Sequence, residues 1–336
     1  MKAVVCEKPF ELRYVDLPPP QVSEGEVLVR IRRVGLCGTD YHIFAGRHPF
    51  LSYPRVIGHE LAGEVIEAPE GSRLRQGQLV TINPYLSCGT CISCRKGKPN
   101  ACVSIQVLGV HADGGMRELL SVPERAVLDA TGLSADQAAM VEFLSVGAHA
   151  VVRSALGEGD RVLVVGAGPI GIATGLFARL KGAAVTLVDR RVARLVYARD
   201  HLGFADVLPA EADLVDILAS RTDGEMFDVV FEATGSIESM SASLGYVAAG
   251  GAMVLVGVAP GELVFSDPEF HKRETTLLAS RNALAEDFER VIAAIKADLI
   301  PTAALRTHAF PASEMPDRLP ELIADADHVL KAIACF

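Results

Sequence analysis

The sequence contains no tryptophan and no cluster of basic residues, and none of its apolar runs is both long and free of charge. Crossing a bilayer takes about 20 predominantly apolar residues, so no membrane partner is expected. The net charge is -10. Without a basic patch, nucleic acid is not an expected partner either. The opening residues, Met1-Lys2-Ala3-Val4-Val5-Cys6-Glu7-Lys8, lack the apolar core and cleavage site of a signal peptide and read as a first strand. Cysteine is scarce and unevenly spread: of seven, four lie between Cys88 and Cys102. That clustering suits metal binding in a reducing compartment better than a disulfide framework. A cytoplasmic location is therefore expected. Cys6 and Cys335 fall in strand-like segments and read as small buried side chains.

What is present is a chain of 336 residues, 50% hydrophobic and 22% charged, long enough for two domains with separate cores. The first part is β-rich. Val27–Arg32, Gly63–Glu67 and Gln78–Ile82 have strand character, and β character resumes over 117–128. Ser134, with Gln137 three positions on, has the form of a capping box at a helix start. From about residue 158 the pattern changes. Arg161–Val165, Val185–Val188, Phe227–Phe231 and Ala252–Val256 are short apolar strands. Helical stretches separate them, over 169–181, 191–202, 213–220 and 236–247. Strands alternating with helices predict a doubly wound parallel sheet. Residues 275–280 are expected to form its edge strand. An amphipathic helix over 285–297 and a final strand over 328–335 are expected to pack back on the first domain.

Three groups of residues carry chemistry. Gly166-Ala167-Gly168-Pro169-Ile170-Gly171 follows an apolar strand and opens a helix, and Asp189 ends the next strand. This context makes the glycine pattern a dinucleotide fingerprint. The glycines let the backbone approach a pyrophosphate, the helix N-terminus favours its charge, and Asp189 would accept hydrogen bonds from ribose hydroxyls. Asp189 favours NAD over NADP, although Arg190 and Arg191 follow it. Thr234, Gly257 and Val258 complete the cofactor-binding candidates with Gly166, Gly168, Pro169, Ile170, Gly171, Asp189 and Arg190. Second, Cys88, Cys91, Cys94 and Cys102 offer four thiolates, enough to close a tetrahedral structural zinc site. Third, Cys37, His59 and Glu60 supply a thiol, an imidazole and a carboxylate. Three such ligands leave a fourth position open on a zinc ion, as a catalytic zinc requires. Glu142 is the expected fourth group, directly or through water.

In order and spacing, Cys37-Gly38-Thr39-Asp40, Gly58-His59-Glu60, the four-cysteine lobe and Gly166–Gly171 resemble the zinc-dependent medium-chain dehydrogenases. Glu142-Phe143-Leu144-Ser145-Val146-Gly147 resembles the segment of the sorbitol and threonine dehydrogenase branch that carries the fourth group of the zinc shell. Phe143 departs from the proline usual there. The resemblance implies an α/β architecture, with a Rossmann doubly wound parallel sheet and a β-rich GroES-like catalytic domain with a zinc-binding lobe. The catalytic domain is expected over 1–148 with its lobe at 86–104, the dinucleotide domain over 149–283, and a segment over 284–336 returning to the catalytic domain. The resemblance also implies two zinc ions per chain, one catalytic and one structural.

Carried over to this chain, Cys37, His59 and Glu60 would ligate the catalytic zinc, Glu60 directly or in alternation with water or Glu142. Asp40 would orient His59, Thr39 would hydrogen-bond the alcohol, and His42 would extend the proton path to solvent. Such enzymes oxidise a secondary alcohol and pass its hydride to the nicotinamide. Gly46–Phe50 and Ser266–Lys272 resemble bacterial polyol and sugar-acid dehydrogenases such as the L-galactonate and L-idonate 5-dehydrogenases. Arg47, His111 and Arg281 are candidates for holding a substrate carboxylate. The lack of tryptophan argues against a bulky aromatic alcohol. Threonine-type dehydrogenase activity and a non-catalytic relic of the fold are the alternatives. A homodimer or homotetramer is expected by the same resemblance.

Overall fold

The computed structural model describes residues 1–48 and 51–336. Pro49 and Phe50, part of the Gly46–Phe50 motif, lie outside the described residues. The chain forms two compact units, Met1–Phe143 with Ala283–Phe336, and Leu144–Asn282. The first boundary therefore falls between Phe143 and Leu144, inside a helix, instead of after 148, and the second falls one residue before 283.

The first unit begins with β1 (Lys2–Lys8), β2 (Glu11–Asp16), β3 (Glu26–Gly35), α1 (Gly38–Phe44), β4 (Arg55–Val56), β5 (Glu60–Glu67) and β6 (Leu79–Ile82). There follow β7 (Tyr85–Leu86), α2 (Ile92–Arg95), β8 (Gln106–Val107), β9 (Leu119–Pro123), β10 (Val127–Asp129), α3 (Ala135–Ala139) and the start of α4 (Val141–Arg153). In β3, Val27, Val29 and Ile31 are buried while Arg30 between them is exposed, the period of two that a half-covered strand dictates. The helix start at Ser134 forms as expected. Ser134 Oγ accepts from the Gln137 amide at 3.2 Å, and Gln137 Oε1 accepts from the Ser134 amide at 2.8 Å.

The second unit alternates β11 (Arg161–Val165), α5 (Pro169–Leu180), β12 (Ala184–Asp189), α6 (Val192–Leu202), β13 (Asp206–Pro209), α7 (Leu214–Arg221) and β14 (Phe227–Glu232). It closes with α8 (Ile237–Ser243), β15 (Val247–Leu255), α9 (Asp267–Lys272) and β16 (Thr276–Ala279). Its sheet runs β13-β12-β11-β14-β15-β16, every pair parallel, with β16 at one edge as expected. Helices cover both faces, so Val162–Val165 are all buried. The helical stretch expected over 236–247 forms as α8 followed by a 3-10 turn over Leu244–Tyr246, and ends where Val247 pairs with Phe227. One element differs from expectation. The edge strand β13 was not expected, because it is four residues long and ends on Pro209, which cannot donate to a ladder.

The tail contributes α10 (Ala285–Lys296), α11 (Thr302–Leu305), β17 (Arg306–Pro311), α12 (Met315–Ala324) and β18 (Lys331–Cys335). It returns to the first unit as expected: β18 pairs antiparallel with β3, Ile333 opposite Gly35. The resulting sheet runs β10-β6-β5-β3-β18-β17, with β9 also on β3. Strand β3 therefore lies between β5, which starts at Glu60, and β18, which starts at Lys331. Cys6 is buried, but Cys335, at the open end of β18, is only half-buried. Among the described residues no helix is long and apolar enough to cross a membrane.

Candidate active site and metal centres

Cys37, His59 and Glu60 come together. Their donor atoms all lie within 4.8 Å of one another. The sheet explains why. Glu60 begins β5 and pairs with Gly35 at the end of β3, and Cys37 follows two residues later as the cap of α1. A tetrahedral zinc with ligands at about 2.0–2.3 Å requires donors about 3.3–3.8 Å apart, so this trio closes on an ion with small adjustments. His59 and Glu60 are buried and Cys37 is half-buried. A thiol, an imidazole and a carboxylate in this setting fit zinc.

The surrounding contacts refine the expected roles. Asp40 is fully buried. Its carboxylate accepts from the Cys37 amide at 2.9 Å and the Gly58 amide at 3.2 Å. His59 Nδ1 stands 4.0 Å from Asp40 Oδ1 and has no hydrogen-bond partner among the described residues. Asp40 therefore clamps the backbones of the two ligand-bearing loops and faces the imidazole as a charge, from a distance beyond a direct hydrogen bond. The Cys37 thiol faces Thr39 Oγ1 at 3.8 Å. His42, on the same helix, is solvent-exposed, and its pKa is lowered by partial desolvation and by Arg47.

Glu142, the expected fourth group, stands outside the three-residue cluster. Its carboxylate accepts a short hydrogen bond from Tyr85. Burial pushes its pKa up to about 7, with the Glu60 charge adding to the rise and His59 and Tyr85 opposing it. Tyr85, in β7, was not singled out from the sequence. Nor was Lys331, whose ammonium lies 2.6 and 2.7 Å from the two oxygens of Glu60. A lone charge inside the apolar run Val329–Cys335 was the signal available for it.

The four cysteines also assemble. Cys91 Sγ lies 3.5 Å from Cys94 Sγ and 3.8 Å from Cys102 Sγ, and Cys102 Sγ lies 3.4 Å from Cys88 Sγ. None is in a disulfide. A zinc tetrahedron with Zn–S bonds of about 2.3 Å has edges of about 3.8 Å, so the sulfurs are spaced for the ion. Backbone amides of Thr90 and Cys91 lower the Cys88 pKa to about 6, favouring the thiolate a metal needs.

In the second unit the glycine turn has the form of a dinucleotide cradle. A Cβ on Gly171 would stand 1.7 Å from the Gly166 carbonyl oxygen, and Gly166 has φ 107°. Gly168 caps α5, with Pro169 in its first turn. Asp189 accepts from the Ala167 amide at 2.6 Å and the Arg191 amide at 2.7 Å, tying the turn to the end of β12. Arg190 is exposed beside it. Arg194, not anticipated, brings Nη1 to 3.4 Å from where a Gly168 Cβ would stand, over the turn where a pyrophosphate would lie. Thr234 hydrogen-bonds Glu232, Gly257 donates to the Glu232 carbonyl at 2.9 Å, and Val258 is exposed. Of the substrate candidates, Arg47 and His111 belong to the first unit and Arg281 to the second. His111 Nδ1 accepts from the Val107 amide at 3.1 Å, which leaves Nε2 as the donor of the neutral ring.

Residues 23–132 match the alcohol dehydrogenase GroES-like domain, and residues 169–297 match the zinc-binding dehydrogenase domain. Over 337 aligned residues the chain is 38% identical to the L-galactonate-5-dehydrogenase of Escherichia coli K12, covering 100% of this chain and 99% of that protein. Among solved structures, the alcohol dehydrogenase RspB of E. coli CFT073 with NADH matches with a TM-score of 0.94 at 30% identity, covering 100% of this chain and 99% of that one. A zinc-binding dehydrogenase of Sinorhizobium meliloti bound to NADP matches with a TM-score of 0.91 at 28% identity, again covering 100% and 99%. With both domain matches in chain order and full-length similarity behind them, this chain belongs to the zinc-type medium-chain dehydrogenase family.

Proposed function

We propose that the protein is a zinc-dependent dehydrogenase that transfers hydride from a secondary alcohol of a sugar acid or polyol to NAD. The observation that carries this reading is the convergence of Cys37, His59 and Glu60 within 4.8 Å, in a chain that also builds a glycine cradle ending at Asp189. Cys37, His59 and Glu60 would hold the catalytic ion, and Cys88, Cys91, Cys94 and Cys102 the structural one. When bound, the zinc supplies a Lewis acid that lowers the pKa of an alcohol by several units, and the nicotinamide supplies the hydride acceptor.

The chain's own residues do the rest. Asp40 holds the two ligand loops together. Thr39, beside the thiol, would take a hydrogen bond from the substrate hydroxyl and lead its proton towards His42. Because the pKa of His42 is lowered, its ring is neutral near pH 7 and able to accept that proton. Asp189 would bond the adenosine ribose hydroxyls and repel a 2′-phosphate, which supports NAD, while Arg194 would face the pyrophosphate. In the first unit, Arg47 and His111, the latter through Nε2, are the candidates for meeting a substrate carboxylate; Arg281 is the candidate in the second unit. The sugar-acid assignment draws on the similarity to the L-galactonate-5-dehydrogenase. The exposed ladder edge of β16 supports a homo-oligomer paired there. NADH formation over a panel of aldonates, polyols and threonine tests the reading. Turnover of an aldonate or polyol with NAD is expected. Turnover of threonine alone, or of no secondary alcohol, would overturn it.

A further inference from the structure

Lys331 is an unusual residue for its place. It starts β18, in the middle of an apolar run, and is 1% exposed. An ammonium is buried only when its charge and its donors are met. Here its Nζ reaches both oxygens of Glu60, at 2.6 and 2.7 Å, and the Leu36 carbonyl at 3.0 Å. It also sits 4.2 Å from the centroid of the Phe143 ring. The carboxylate it grips has a slot of its own. Gly35, opposite Glu60 in the sheet, has no side chain, and a Cβ there would stand 2.2 Å from Glu60 Oε2. Three adjacent strands thus build a seat for the Glu60 carboxylate beside the other two ligands, with Gly35 as its floor and Lys331 as its counter-charge.

The seat bears on the metal in two ways. A carboxylate whose two oxygens both accept from an ammonium has less electron density to give a metal ion. Charge points the same way. A zinc ion bound by a thiolate, a neutral imidazole and a carboxylate has no net charge, whereas neutralising the carboxylate leaves the site positive and a stronger Lewis acid. Resting on the catalytic zinc proposed above, we infer that Lys331 is a positioning residue that competes with the metal for Glu60, making Glu60 a ligand able to leave as the alcohol enters. A buried ion pair that only braced the sheet would place the same residues together, but it would not alter what binds the metal.

The two roles separate experimentally in Lys331→Met, with Lys331→Arg as the conservative rescue. Zinc release to a chromogenic chelator is followed in each protein, with the four-cysteine zinc as internal reference. The visible spectrum is recorded after cobalt replaces the catalytic zinc, and kcat and KM are measured with NAD. Without its ammonium partner Glu60 should close on the ion. Lys331→Met should then release the catalytic zinc about tenfold more slowly or less, change the cobalt bands, and lose about 10–100-fold in kcat with KM little changed. Lys331→Arg should recover most of each. If Lys331→Met does not fold, Lys331→Gln, which keeps a donor without the charge, is read the same way. Unchanged zinc release and an unchanged cobalt spectrum, whatever happens to stability, would overturn the role of Lys331 alone. A wild-type protein that holds zinc only in the four-cysteine lobe would overturn both this role and the catalytic zinc.

Discussion

Asp40 offers a direct way to break the catalytic site without touching a ligand. Its buried carboxylate is the shared acceptor of two amides, Cys37 N–H and Gly58 N–H, which belong to the segments that carry the ligands. Asp40→Ala leaves both donors without a partner. Each such buried donor costs about 1–3 kcal/mol, so the folded protein should lose about 2–6 kcal/mol. Asp40→Asn keeps one acceptor oxygen but turns an N–H towards the other amide, and should cost roughly half as much. Both changes also remove the negative charge 4.0 Å from His59 Nδ1. With the ligand loops free to separate, affinity for the catalytic zinc should fall about 10–100-fold. The four-cysteine site, held by its own loop, should keep its metal. Chelator competition resolves the two zinc populations, and urea unfolding gives the stability loss. Wild-type zinc retention and unfolding midpoint in Asp40→Ala would refute the clamp.

Other consequences are as sharp. In Gly171→Ala the new methyl would meet the Gly166 carbonyl at 1.7 Å, opening the turn. NADH affinity, measured by fluorescence titration, should fall tenfold or more by a rough estimate, with both zinc ions retained. Cys94→Ser should free the loop around the four sulfurs, giving rapid proteolytic cutting between residues 86 and 104, because metal coordination supplies that loop's order. Glu142 binds its proton more tightly folded than unfolded, since burial lifts its pKa to about 7 from an ordinary value of about 4.3. The stability this gives zinc-stripped protein is complete below about pH 4 and lost as pH rises through 7, on the order of 3 kcal/mol. Melting temperatures of the stripped protein should therefore fall from about pH 5 to about pH 8, and Glu142→Gln should flatten that fall.

How much of this was legible depended on the range of each interaction. Val162–Val165 read directly as a strand, because a strand covered on both faces is a continuous apolar run. The glycine turn and the four cysteines were equally plain, since each function is carried by residues within about twenty positions. The Ser134 cap closes over three residues and formed as expected. The helical stretch expected over 236–247 ended at Tyr246, its last turn tightened to 3-10, where Val247 answers to its partner Phe227 in the sheet. Asp40 was recognised as the residue that would orient His59, but its clamp on the Gly58 amide, 18 positions away, has no local signature. Tyr85 and Lys331 went unassigned because their partners are remote: Tyr85 lies 57 positions from Glu142 and Lys331 lies 271 from Glu60, so the lone charge in β18 marked Lys331 as unusual without naming what it meets.

The central claim is that Cys37, His59 and Glu60 hold a zinc ion distinct from the one in the cysteine lobe. Zinc content of the purified wild type and of Cys37→Ser, each normalised to protein, tests it most directly. About two zinc ions per chain in the wild type and about one in Cys37→Ser are predicted, the remaining ion being the four-cysteine one. A wild type that holds about one zinc per chain, with no loss on replacing Cys37, would contradict it.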